Sequence, residues 1–82
     1  MEDHNKLLQR ITIDLDVLAG KPCIRGMRIS VEHILDALAA GISQRELIEE
    51  YPFLEPTDIK AALLYAKELV AMERVYPVGK QG

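Results

Sequence analysis

The side chains best placed to do chemistry in this sequence are cations. Lys21, Arg25 and Arg28 fall in a stretch, residues 17–31, that contains no acidic residue. Three cations beside the backbone amides near Gly20 and Gly26 make a candidate phosphate clamp. The plainer alternative is a hairpin with solvated charges, Arg28 holding Asp14 or Asp16, because water is the ordinary surrounding of Lys and Arg. A second set, Lys60, Leu64, Tyr65 and Lys67, lies off the expected buried stripe of the last helical segment. It is a candidate contact face, either for DNA or for a protein. From Asp58 to Met72 there is no Arg, Asn or Gln, the residues that read guanine and adenine edges best. Leu64 and Tyr65 therefore fit a protein partner better than a base pair.

Residues that could carry catalysis are not grouped. There is no Ser–His–Asp set, HExxH motif or phosphate-cradling glycine loop. Asp14 and Asp16 stand near no base or third ligand and read as turn residues. Two distant histidines, His4 and His33, and the single Cys23 do not make a zinc site. One cysteine forms no internal disulfide, and Cys23 reads as a small buried hydrophobe. The acidic run Glu46, Glu49, Glu50, Glu55 and Asp58 either mimics nucleic acid toward a basic partner or is a solvated helix face, the commoner case. We therefore expect no enzyme, no cofactor and no metal.

The elements that must position these residues belong to one small domain. The chain has 82 residues, 49% hydrophobic and 28% charged, with a net charge of −3. That is ordinary globular composition. A dedicated nucleic-acid binder is more often basic, so any phosphate-binding patch must be local. No 18-residue apolar run exists, and the first residues lack a signal-peptide core, so a cytoplasmic protein is expected. Residues 1–10 read as a flexible N-terminus, a frayed start or a short helical turn. Ile11-Thr12-Ile13 reads as a strand, and Asp14 to Pro22 as loop. Cys23-Ile24 and Arg28-Ile29 read as a hairpin closed at Gly26.

The punctuation of the remainder predicts three helices. Ser30 caps the first, over 31–40, with Val31, Ile34, Leu35 and Leu38 on one side. Gly41 follows it as a stop. Ser43-Gln44-Arg45-Glu46 is a capping box opening the second, over 44–51, which Pro52 ends. Pro56 opens the third, over 56–73. Its buried stripe is expected at Ile59, Leu63, Ala66 and Val70, joined by Ala62 and Leu69. Residues 74–82 read as a disordered tail. The expected fold is mainly α: a short N-terminal β-hairpin, then a tri-helical, homeodomain-like (helix-turn-helix) bundle within 11–73, because the links at 41–43 and 52–55 are too short to swing freely.

Several blocks resemble a known family. They are Ile11-Thr12-Ile13-Asp14, the run Gly20-Lys21-Pro22-Cys23-Ile24-Arg25-Gly26-Met27-Arg28-Ile29-Ser30-Val31, Leu38-Ala39-Ala40-Gly41, Glu46 to Pro52 with Leu54, and Asp58 to Leu63. Over residues 11–66 this pattern resembles the bacterial family catalogued as domain of unknown function 433. Met27 stands where that family usually has Thr, and Leu15 where it usually has Pro. The resemblance implies a β element followed by a homeodomain-like bundle. It also implies a VapB-type antitoxin role, with a PIN-like ribonuclease toxin as partner. On that basis the chain is expected to be a non-enzymatic, antitoxin-like protein that neutralises such a toxin; operator DNA is a further candidate partner, with Lys21, Arg25 and Arg28 steering onto phosphates, and a homodimer is expected because one such domain makes too few contacts for tight operator binding. The alternative is a protein–protein interaction module with no nucleic-acid role.

Overall fold

The computed structural model describes residues 3–73. The elements run α1 (His4–Leu8), β1 (Ile11–Thr12), a 3-10 turn (Leu18–Gly20), β2 (Cys23–Ile24), α2 (Val31–Ala39), α3 (Gln44–Glu50) and α4 (Pro56–Glu73). The chain is mainly helical, with one small antiparallel sheet in which Ile11 pairs with Ile24 and Thr12 with Cys23. The disordered tail expected at 74–82 lies outside the described residues.

The helix boundaries follow from their caps. Ser30 Oγ accepts the His33 amide at 2.9 Å and starts α2. At its end the Ile42 amide donates to the Ala37 carbonyl and the Gly41 amide to the Leu38 carbonyl, both at 3.0 Å. These two bonds are the Schellman pattern, which satisfies carbonyls that the helix leaves open. It requires a left-handed residue, and Gly41 has φ of +94°. Ser43 and Glu46 close the capping box that opens α3: Ser43 Oγ accepts the Glu46 amide, and Glu46 Oε1 accepts the Ser43 amide. That backbone donor holds the Glu46 carboxyl below its ordinary range.

The hairpin turns at Gly26 as expected. The Met27 amide donates to the Ile24 carbonyl at 2.7 Å. Arg25 and Gly26 both have positive φ, +46° and +74°, the pattern of a type I′ turn. The Ile24 amide donates to the Ile29 carbonyl of the returning chain at 3.1 Å, and Ser30 bridges Cys23. β1 covers the other edge of β2. Ile13 is not part of it and is exposed. Asp14 and Asp16 form the turn expected of them, Asp14 Oδ1 accepting the Asp16 amide at 2.9 Å.

Of the two readings open for residues 1–10, the helical one holds over residues 4–8: they form a short helix capped by Asp3, with Leu7 buried and α1 lying against α4. One difference from expectation concerns the buried side of α4, where Ile59 and Ala62 are buried as expected but the rest of the stripe is not. Asp58, Ile59, Ala61 and Ala62 are buried and Tyr65 packs on the core, whereas Leu63, Leu69 and Val70 are exposed. Positions 58, 61, 62 and 65 are spaced i, i+3, i+4, i+7, the register of one helix face. α4 is apolar around most of its circumference, so the pattern of hydrophobic residues alone does not choose a face. The choice is made by Asp58, which points inward. The core itself joins Ile24, Ile29, Val31, Ile34, Leu47, Leu54, Ile59 and Ala62, so every element from β2 to α4 contributes.

Gly41 supplies a direct check. A Cβ there would meet nothing within 4 Å, so Gly41→Ala tests conformation without a clash. It is expected to cost about 1 kcal/mol, read as a lower melting temperature with an unchanged circular dichroism spectrum. A neutral result would mean that the α2–α3 corner does not depend on the left-handed residue.

Candidate functional site

The densest polar cluster gathers around the Asp58 carboxylate, which is fully buried. The Arg25 guanidinium grips it with two bonds, Nε to Oδ1 at 3.0 Å and Nη2 to Oδ2 at 2.7 Å. Arg25 Nη2 also donates to the Phe53 carbonyl at 2.9 Å. Arg10 Nη1 donates to Asp58 Oδ1 and to Glu55 Oε1, both at 2.9 Å. The Glu55 amide, just before α4, donates to Asp58 Oδ2 at 2.9 Å. One carboxylate thus accepts from the segment after α1, from the β-hairpin turn and from the start of α4.

The local sequence explains each arm. Asp58 is the third residue of α4, where its side chain can reach back to the amide preceding the helix and where the helix dipole favours a negative charge. Arg25 occupies the first corner of the type I′ turn, and its own amide donates to the Arg10 carbonyl at 2.7 Å, which places the two guanidinium groups side by side. Burial alone would raise the carboxyl pKa of Asp58. The bonds from Arg25, the Glu55 amide and Arg10 outweigh it, and the net shift is downward. The Arg10 guanidinium is held above its usual pKa by its bonds to Glu55 and then Asp58, that of Arg25 chiefly by its bond to Asp58.

The three cations expected to clamp phosphate are therefore not equivalent. Arg25 is committed to Asp58. Lys21 Nζ pairs with Glu32 Oε1 at 2.9 Å, both side chains more than half exposed. Arg28 is exposed, and among the described residues it forms no ion pair with Asp14 or Asp16. Of the second set, Lys60 and Lys67 are exposed, Lys67 beside Glu68 at 2.9 Å. Leu64 and Tyr65, expected as an exposed contact face, are half-buried, and Tyr65 packs on the core. In the acidic run, Glu46, Glu49, Glu50 and Glu55 are exposed, and Asp58 is the exception. Arg10 was not singled out by its sequence context. Its partner is 48 residues away, and no local pattern announces it.

The second feature is an open groove of about 790 Å³ between α2 and α4. Leu35 and Ala39 of α2 face Tyr65, Ala66 and Leu69 of α4 across it. Lys21, Glu32, His33 and Asp36 supply its polar lining. His33 Nε2 lies 3.0 Å from the Tyr51 hydroxyl, and its ring meets Tyr51 edge to face. Among the described residues no group of three or more His, Cys, Asp and Glu could hold a metal ion. None of the described helices is long and apolar enough to cross a membrane.

A small sheet latched onto a helical body by buried ion pairs is not in itself a family signature, but the resemblance in sequence is decisive. The family described as Protein of unknown function (DUF433) matches residues 11–66, and the chain belongs to it. The uncharacterized protein y4eO of Sinorhizobium fredii is 35% identical over 67 residues, covering 82% of this chain. This chain spans only 30% of that relative's length. No solved structure matches.

Two predictions follow from the Asp58 cluster. Asp58→Ala would strand two guanidinium groups and the Glu55 amide. Removing one partner of a buried ion pair costs about 3–5 kcal/mol, and the partial exposure of both arginines (30% and 35%) puts the expected loss near the lower end. Chemical denaturation checks this; a loss below about 1 kcal/mol would reduce the cluster to a surface pair. The pH dependence has a definite sign. The folded pKa of Asp58 is depressed, so its contribution is present above the unfolded value of about 3.9 and is lost as pH falls through the folded value. The melting temperature should hold between neutral pH and about pH 5 and fall below about pH 4, and Asp58→Asn should flatten that fall.

Proposed function

We propose that this chain is a non-enzymatic, antitoxin-like binding module that engages a protein partner, a PIN-like ribonuclease. The observation that carries the binding part is the groove between α2 and α4 with the exposed apolar residues that continue from it, Leu69, Val70 and Met72 at 46%, 69% and 72% exposure. Contiguous exposed apolar surface on a small soluble domain is characteristic of interaction sites. The ribonuclease as partner comes from the family resemblance.

Operator binding as a dimer is the second activity of this reading. Its support is the succession α2, α3, α4 with tight corners at Gly41 and Pro52, an order of helices that a helix-turn-helix domain would require. Against it stands the commitment of Arg25 to Asp58, which leaves Lys21 and Arg28 as the hairpin cations. Two phosphate contacts give a salt dependence with a log–log slope of roughly −1.8 per copy. The alternative, a protein-interaction module without nucleic acid, is favoured by that same commitment.

Co-expression with a PIN-like ribonuclease encoded beside the gene tests the main claim. The expected result is co-elution and loss of ribonuclease activity, weakened by Leu69→Glu. An active ribonuclease in the presence of excess chain would sink it. Fluorescence anisotropy with duplex DNA at low and moderate salt tests the second activity. Arg28→Glu should weaken binding while leaving the melting temperature within a few degrees, whereas Arg25→Glu should lower the melting temperature. No binding to any duplex at low salt would leave the protein-only alternative.

A further inference from the structure

We propose that the groove between α2 and α4 takes an amphipathic helix of a protein partner, one that carries Lys or Arg beside its apolar stripe. The inference rests on the binding-module reading and deepens it, by naming what the partner must present.

The walls decide the secondary structure of the occupant. Leu35 and Ala39 of α2 stand opposite Tyr65, Ala66 and Leu69 of α4, so both long walls are helix surface. A helix spends its main-chain groups on itself and offers none sideways. An extended segment laid between two such walls would bury amides and carbonyls without partners, and each one costs free energy. A helix brings its own main-chain bonds and needs only side chains that fit. Ala39 and Ala66, one small residue on each wall, leave room for larger side chains from outside. From Glu32 to Ala39, α2 rises about 10 Å, so the groove covers roughly two turns of its occupant.

Charge chooses the residue beside the stripe. Glu32 and Asp36, one turn apart on α2, supply the acidic part of the lining. Lys21 answers Glu32 at 2.9 Å. Asp36 has no ion pair among the described residues. It also stands in the last turn of α2, which has no basic residue and where the helix dipole disfavours an anion. The domain thus holds a negative charge against its own helix end, next to apolar surface, with no cation to answer it. A cation on the occupant would answer the carboxylate and the dipole together. The apolar contact would exclude part of the water around that pair, which strengthens it relative to a pair in open solvent. An acidic or neutral amphipathic helix would gain the apolar contact alone.

A phage-displayed library of helical peptides of about 14 residues supplies the probe. Leucine is fixed at positions i, i+3, i+4 and i+7, and the flanking positions are free to be Arg, Gln or Glu. Selection on the full chain is expected to favour Arg over Glu about fivefold, the upper range for a partly exposed ion pair. On Asp36→Lys the preference should invert. The selected peptide, made synthetically and followed by fluorescence anisotropy, should bind Ala39→Phe about tenfold more weakly. Ala39 is exposed and lines the groove, so this variant should fill the site with an unchanged melting temperature. If it disturbs the fold, the charge inversion alone decides. No enrichment overturns the proposal, as does a preference that Asp36→Lys leaves unaltered, or binding by a folded Ala39→Phe equal to that of the wild-type chain. A peptide that binds as expected beside an uninhibited ribonuclease would overturn the ribonuclease reading alone. A ribonuclease inhibited equally by the wild-type chain, Asp36→Lys and Ala39→Phe would overturn the groove proposal alone.

Discussion

A carboxylate cannot be taken out of water without partners, because the cost of desolvating an isolated charge runs to several kcal/mol after relaxation. Asp58 is fully buried, and its partners dictate much of the architecture. Arg25 must present its guanidinium from the hairpin turn, and Arg10 must arrive from the end of α1. The sheet, α1 and the start of α4 are thereby fixed to one point. Apolar packing around Ile24, Ile34, Leu47 and Ile59 supplies a non-directional drive to collapse. The carboxylate and its donors supply direction.

This arrangement changes what the basic hairpin can do. A guanidinium with two bonds to a buried carboxylate is a structural group, and it offers phosphate little of its charge. Of the hairpin cations, Arg28 is the exposed one with no ion pair among the described residues, and Lys21 shares its charge with Glu32. The electrostatic attraction available to a polyanion is correspondingly small in a chain whose net charge is already −3. The apolar surface is placed differently. It gathers along the groove and the later turns of α4, where Leu63, Leu69, Val70 and Met72 remain in water. Surface of that kind lowers its free energy by meeting another macromolecule, which is why protein contact is the central proposal.

Much of the local structure was legible in the sequence. Ser30, Gly41, the Ser43–Glu46 box and Pro56 mark the bounds of α2, α3 and α4 to within a residue, because capping bonds join groups only a few positions apart. The Gly26 turn was legible for the same reason. Less was visible where a residue's role depends on distant partners. The sequence left residues 1–10 open between a frayed start and a helical turn, and the helix over residues 4–8 is settled by the cover Leu7 finds against α4. The face of α4 was read from its Leu and Val residues, which are too evenly distributed to choose one.

Residue type and short-range spacing thus determined where helices begin and end and where the hairpin turns. The tertiary structure decided which way Asp58 points, and with it the rotation of α4, the commitment of Arg25, the part played by Arg10 and the apolar residues left uncovered. The physical reason is range. A cap or a turn is satisfied within about five residues, whereas the charge of Asp58 is answered from 33 and 48 residues away, and only the folded chain brings those groups within bonding distance.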